Sequence, residues 1–334
     1  MNGRRSSRAL PFAWILAACS QGEAPSPSSP DTSSPSPATL ELAMIPKGTT
    51  HVFWKSVEAG ARAAASELGV DLEWKGPLVE NDRAQQIQLV QQFVSQGVDG
   101  LILAPLDRRA LVAPVAQARA KAIPVVIFDS ALEGEPGADF ASFVATDNRS
   151  GGFMAGEHLA ELLSTESDSE PSPVVLLRYQ VGSASTEERE AGFLEAVGKD
   201  AAIRVVVDNR YAGPTAGEAK TSALNMLDSI RAARGVFCSN ESATMGMLLA
   251  LRQEGLAGKI RFVGFDASPP LVEALEAGEI DALVLQNPRR MGNLAVRTMV
   301  AKLRGEPVES RIDTGAVLVT RENMGEPEVA QLLE

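Results

Sequence analysis

Four apolar runs in this 334-residue chain each close on one polar side chain that can bond a hydroxyl group. Asp129 ends VVIFD, Asn240 ends GVFCSN, Asp266 ends RFVGFD and Gln286 ends ALVLQ. The carboxylates accept hydrogen bonds, and the amides both accept and donate, which is the chemistry a small polyhydroxylated ligand needs. Each run has strand length and is rich in Val, Ile, Leu and Phe, as a parallel strand buried on both faces should be. In open α/β sheets ligands bind outside the carboxyl ends of the strands, so the four side chains could share one cleft. The competing reading is that each simply caps the helix that follows it. Four together favour the cleft.

The elements that would position them alternate along the chain. Strands are expected at 40–45, 70–74, 100–104 and 123–128, with helices at 52–68, 82–96 and 108–121. A second series starts near Phe143. It has helices at 150–163, 186–198, 215–231, 242–254, 269–277 and 289–303, and strands at 173–179, 203–208, 235–238, 260–265, 282–286 and near 316–320. About ten strands in two series imply an α/β protein of two doubly wound parallel-sheet lobes with right-handed crossovers. The interruption ALEGEPGADFAS at 131–142 is the expected place for the chain to pass between them. AGPTAG at 212–217 lacks a strand-linked dinucleotide spacing and reads as a turn into a helix.

Composition narrows the function. A net charge of −12 argues against a nucleic-acid or anionic-membrane surface. With two histidines and two cysteines there is little from which to build a metal site or a Ser-His-Asp triad, so no metal and no cofactor is expected. Arg4, Arg5 and Arg8 precede ALPFAWILAAC, a charged region followed by an apolar run too short to span a bilayer, as in an export signal. Leu16-Ala17-Ala18-Cys19 resembles the lipobox of bacterial lipoproteins, which implies a signal over 1–19 and lipid on Cys19. Residues 20–38, mostly Ser, Pro, Gly, Ala and acids, read as a disordered tether. Cys238 lies in an apolar run and reads as a small buried residue without a disulfide.

Several segments, taken in order, resemble the type I periplasmic sugar-binding proteins, the ribose-binding group in particular. They are HVFWKSVEAGARAAASELG, QGVDGLILAPLD, IPVVIFDS, VATDNRSGGFMAGEHLA, STEEREAGF, GVFCSNESATMGMLLAL, VGFDASP and LVLQNPRRMGNLAV, and the resemblance runs from about Leu40 to Asn323. It implies two lobes joined by a three-segment hinge, one of 40–145 plus 287–313 and the other of 146–286 plus 314–334. It implies ligand contacts from Phe53, Trp54, Asp129, Arg189, Asn240, Asp266 and Gln286. One aromatic could instead be a core anchor, and Arg189 could instead pair with Glu187 or Glu190 on the surface. Ser130 stands where ribose binders carry arginine and Ala104 where they carry asparagine, so ribose itself is not implied. Lys47 and His51 fall at first-lobe positions that are small or amide residues in ribose binders. Lys47 also resembles the ligand lysine of an autoinducer-binding branch, and could meet an acidic group or an extra hydroxyl. The resemblance implies a monomeric, lipid-anchored binding protein of the cell envelope that serves an ABC permease and ATPase. Two alternatives remain: a sugar or autoinducer sensor signalling to a chemoreceptor or kinase, and a glycosidase using Asp129 and Asp266. LacI-type repressors share the fold in their effector domain but need a helix-turn-helix before the first strand, where here a signal and a tether stand.

Overall fold

The computed structural model describes residues 13, 39–164 and 170–333. The lipobox with Cys19 and the tether at 20–38 lie outside the described residues. Among those described, no helix is long and apolar enough to cross a membrane.

The first sheet is laid down by β1 (Glu41–Ile45), β2 (Asp71–Trp74), β3 (Gly100–Leu103), β4 (Val125–Phe128) and β5 (Ser142–Ala145). Between them run α1 (Val52–Leu68), α2 (Arg83–Gln96) and α3 (Val112–Ala120). The second sheet begins after α4 (Asn148–Ser164), with β6 (Ser172–Arg178), α5 (Ala184–Val197), β7 (Ile203–Tyr211), α6 (Ala216–Leu224) and α7 (Leu227–Ala232). It continues through β8 (Gly235–Cys238), α8 (Glu241–Gln253), β9 (Arg261–Phe265), α9 (Pro269–Glu276) and β10 (Ala282–Gln286). Last come α10 (Pro288–Leu303), β11 (Arg311–Asp313), β12 (Ala316–Val319) and α11 (Pro327–Leu333).

Each sheet has six strands, ordered β11-β5-β4-β3-β1-β2 and β12-β10-β9-β8-β6-β7. Central strands β3, β4 and β8 are buried at every residue, whereas edge strands β2 and β7 alternate with solvent. That is why the continuous apolar runs are the inner strands. Two apolar layers cover the faces of each sheet, one centred on Phe93 and one on Trp54 and Met291 in the first, and on Phe193 and Phe262 in the second. The chain passes between the sheets after β5, after β10 and between β11 and β12. At these crossings Thr146 Oγ1 lies 3.2 Å from Thr314 Oγ1.

The same packing device recurs in both lobes. The helix after the first strand of each sheet (α1, α5) lies against the helix entering from the other sheet (α10, α4), with glycines at the contact. A Cβ at Gly60 or Gly292 would collide with the Arg289 or Val57 carbonyl, and one at Gly152 or Gly192 with the Arg189 or Arg149 carbonyl. Gly152 therefore lets α4 press directly on the backbone of Arg189.

Four expectations change. Residues 131–141 connect β4 to β5, both of the first sheet, so the chain does not cross there; the segment is a surface loop, and Asp129 is not followed by a helix. The helix expected at 215–231 is two, α6 and α7, broken at Asn225-Met226. The described residues hold twelve strands rather than about ten. The additions include β11, which is three residues long and exposed at both ends, and so carries no apolar run. Helix α11, which buries Val329 against the second core, was also not expected.

Candidate functional site

The carboxyl ends of the two sheets face one another across a cleft lined by Lys47, His51, Phe53, Trp54, Glu80, Asp129, Tyr179, Ser185, Thr186, Arg189, Asn240, Glu241, Asp266 and Gln286. All nine side chains singled out as ligand candidates in the sequence are among them. Asp129 follows β4 and Asp266 follows β9, corresponding positions in the two sheets. Both take left-handed backbone conformations, with φ of 59° and 65°. For a residue with a Cβ this is strained, and such strain collects at functional sites.

Helix capping accounts for one of the four strand-end residues. Asn240 caps α8 by accepting from Ala243 N at 3.2 Å, and it lines the cleft as well. Helix α9 has Ser268 at its N-cap and α10 has Asn287, so Asp266 and Gln286 are not N-cap residues. Gln286 Nε2 instead donates to Asp266 Oδ1 at 2.6 Å. Gln286 Oε1 is a buried acceptor without a hydrogen-bond donor, a rare condition in a folded interior, while Asp129 Oδ2 is satisfied by the Lys47 ammonium 2.9 Å away.

The first lobe supplies aromatics and a cation. Phe53 and Trp54 meet edge to face at 4.9 Å, and Trp54 meets Phe128 likewise at 6.1 Å. Trp54 is the core anchor of the two: it is buried, with Nε1 donating to Glu80 Oε1 at 2.8 Å, while Phe53 is half-buried. Lys47 is 3% exposed, with Nζ 2.9 Å from Asp129 Oδ2. It donates across the cleft to Ser185 Oγ at 2.8 Å and to Ser183 Oγ at 3.4 Å. Lys47 is thus no exposed loop residue, and its donors already have partners in the protein.

The second lobe supplies Arg189, which is 2% exposed. It does not pair with Glu187 or Glu190 on the surface. Its guanidinium donates to Asn148 Oδ1 at 2.8 Å and to the Ser239 carbonyl at 3.0 Å, and its Nη1 lies 3.8 Å from Asp266 Oδ2. It also sits over the Phe265 ring at 3.9 Å. Other bonds join the lobes directly: Tyr179 OH to Glu80 Oε2 at 3.1 Å, Ser185 N to Ser130 Oγ at 3.1 Å and Arg108 to Glu187 at 2.8 Å. Where ribose binders carry an arginine, Ser130 accepts a backbone bond from the opposite lobe.

A family model described as periplasmic binding protein domain matches residues 42–307. The chain belongs to this family. Among periplasmic binding proteins, the D-allose-binding periplasmic protein of Escherichia coli (strain K12) is 30% identical over 267 residues, 79% of this chain and 84% of that protein. The periplasmic component of an ABC-type sugar transport system from Hahella chejuensis is 40% identical with a TM-score of 0.79, over 84% of this chain and 99% of that one. A carbohydrate transporter solute-binding protein from Agrobacterium radiobacter, solved with D-arabinose, is 33% identical with a TM-score of 0.84, over 90% and 100%.

Within this periplasmic binding protein the charges are set by burial and pairing. Burial pulls His51 down, but Glu80, bonded to it at 3.0 Å, outweighs this and leaves its pKa raised. Burial pushes Glu80 up, and His51, Lys47 and Trp54 together hold it below the usual carboxylate range. Asp266 is raised by burial, against the opposing pull of Arg189 and Gln286. Among the described residues no cluster of His, Cys, Asp or Glu could hold a metal ion. Cys238 is buried in β8, and burial pushes its thiol far up, so it is an unreactive packing residue.

Five lining residues were missed in the sequence: Glu80, Tyr179, Ser185, Thr186 and Glu241. Tyr179 carried a usable signal, since it too ends an apolar run, PVVLLRY. Glu80 lies in the loop before α2 and carries no such signal. Only the fold brings it to His51, Trp54 and Tyr179.

Proposed function

We propose that this protein is the extracytoplasmic solute-binding component of an ABC importer, and that it captures a monosaccharide or related small polyol between its lobes. Lys47, His51, Phe53, Trp54, Asp129, Arg189, Asn240, Asp266 and Gln286 are the proposed ligand contacts. The observation that carries this reading is the convergence of polar strand-end side chains on one cleft beside the half-buried ring of Phe53, among them Gln286 Oε1, a buried acceptor with no donor, and Asp129, whose Oδ2 is paired with the Lys47 ammonium. Hydroxyl groups would satisfy such an acceptor, and the ring face suits the C–H side of a sugar. The names of the relatives support the same class: D-allose, ribose and D-arabinose occur among them. Those relatives are binding proteins of transport systems, not enzymes.

The mechanism is a population shift. A ligand that touches both lobes stabilises the closed arrangement by its differential affinity for it. The lobes would be 40–145 with 287–313 and 146–286 with 314–334, turning about the three crossings. Cys19 would carry the lipid, and residues 20–38 would tether the folded part to the membrane.

A thermal-shift screen of pentoses, hexoses, sugar acids and inositols, followed by calorimetry, tests the ligand class. At least one neutral sugar or polyol should bind; a screen with no binder in that class would sink the reading. Membrane fractionation of the wild type and Cys19→Ser tests the anchor separately. The variant should be released or left unprocessed, and a processed, membrane-bound variant would remove Cys19 from that role.

A further inference from the structure

Helix α5 turns two consecutive charged side chains in different directions. Arg189 lines the cleft, while Glu190, 1% exposed, lies behind it against the ends of β6 and β8. The ladder between these strands stops at the Leu177–Cys238 pair. Beyond it the chain still has to deliver Tyr179 and Asn240 to the cleft. On the β7 side, Ala212 N and Gly213 N bond the Arg178 and Tyr179 carbonyls at 2.7 and 3.3 Å. On the β8 side, one carboxylate makes the connection. Glu190 Oε1 accepts from Tyr179 N at 2.9 Å and from Ser239 Oγ at 3.0 Å, and Oε2 accepts from Arg178 Nη1 at 2.8 Å.

We propose that Glu190 is a positioning residue for the ligand: it clamps β6 to β8 past their last ladder pair and so holds Tyr179 and Asn240 in register across the second lobe. The inference rests on the cleft being the ligand site proposed above. A carboxylate suits the task because its two oxygens accept several bonds at once and need no donor in return. Arg178, which also donates to the Asp208 carbonyl, balances the charge from the side away from the cleft. Arg189 completes the arrangement by bonding the Ser239 carbonyl. The segment that places Asn240 is therefore held through its side chain by Glu190 and through its backbone by the neighbouring arginine.

The test compares the full chain with Glu190→Gln and Glu190→Ala in two measurements. The first is hydrogen exchange without ligand. In Glu190→Ala, protection at the amides of Tyr179 and of 239–243 should fall at least about ten-fold, the loss of one to two buried bonds, while β4 and β9 stay protected. The second is affinity and dissociation rate with D-allose, D-ribose and D-arabinose as probes. Glu190→Ala should weaken a bound probe by about ten- to fifty-fold, mainly through faster release, and Glu190→Gln, which keeps an acceptor, by under about five-fold. Unchanged exchange at 179 and 239–243, or an equal loss across both sheets, would overturn the positioning role. If none of the probes bound the wild type, the sugar reading would be in question while the exchange result still decided the clamp.

Discussion

The two lobes share one strand order and differ in the chemistry they bring to it. Reading outward from the second edge strand, β2-β1-β3-β4-β5 matches β7-β6-β8-β9-β10 position for position. Asp129 and Asp266 fall at the same place and in the same left-handed conformation. The sixth strand breaks the likeness, because β11 runs parallel to β5 and β12 antiparallel to β10. The first lobe offers a cation already paired with its aspartate and an aromatic wall. The second offers a guanidinium and an amide. Behind the walls the lobes also differ. In the first, the neutral Gln86 ties the ends of β1 and β3, with Nε2 donating to the Pro46 and Ala104 carbonyls at 3.0 and 2.8 Å and Oε1 accepting from Leu106 N at 2.8 Å. In the second, the charged Glu190 does the corresponding work. The fold supplies equivalent positions, and the residues placed there decide what each half contributes.

The sharpest way to break this comparison is to remove each lobe's cation. Arg189→Ala should weaken ligand binding by roughly 2–4 kcal/mol, because it leaves Asn148 Oδ1 and the Ser239 carbonyl without their buried donor and takes the neighbouring cation from Asp266. Since Arg189 is buried and spans α4 and β8, the substitution should also lower the melting temperature; loss of affinity without loss of stability would be the expectation only for a solvent-facing arginine. Lys47→Met should cost less ligand affinity, about 1–2 kcal/mol, because it keeps the stem's length and removes an ammonium whose donors are already taken by Asp129, Ser185 and Ser183. Calorimetry on both variants checks the order, and a larger loss for Lys47 would reverse the assignment of the dominant cation.

A smaller effect separates backbone from charge at the matched aspartates. Asn enters the left-handed region at less cost than Ala, so Asp129→Ala and Asp266→Ala should each be less stable than the corresponding Asn variant by about 1 kcal/mol. Chemical denaturation of the four proteins measures this. Equal stabilities of Ala and Asn at either site would mean that φ there relaxes on substitution.

The smallest expected effect is a pH dependence confined to the first lobe. His51 is held above its ordinary value of 6.5 by Glu80, so the folded chain binds this proton more tightly than the unfolded chain. The stabilisation is complete below 6.5 and is lost as pH rises through the raised value. Melting curves across that interval should show the wild type losing stability relative to His51→Gln; parallel curves would exclude the pair as a source of stability.

Much of this could be read from residues alone because its cause is local. A strand buried on both faces must be apolar along its length, so β3, β4, β8, β9 and β10 announce themselves, and the first polar side chain after each must lie at the sheet's carboxyl edge. Short or exposed elements such as β11 carry no comparable pattern. Partners that meet only through the fold carry none either. Glu80 lies 26 residues from Trp54 and 99 from Tyr179, yet bonds both. Glu190 looked like a surface partner for Arg189 and instead ties β6 to β8. Burial dictates side-chain type residue by residue, so the order of amino acids is enough to tell which strands are central and which polar residues end them. The tertiary structure alone decided that Trp54 rather than Phe53 enters the core, and that Lys47 meets Asp129 and two serines of the opposite lobe. It also decided which carboxylates hold the walls rather than line them, because hydrogen-bond partners distant in the chain are chosen by how the two sheets face each other.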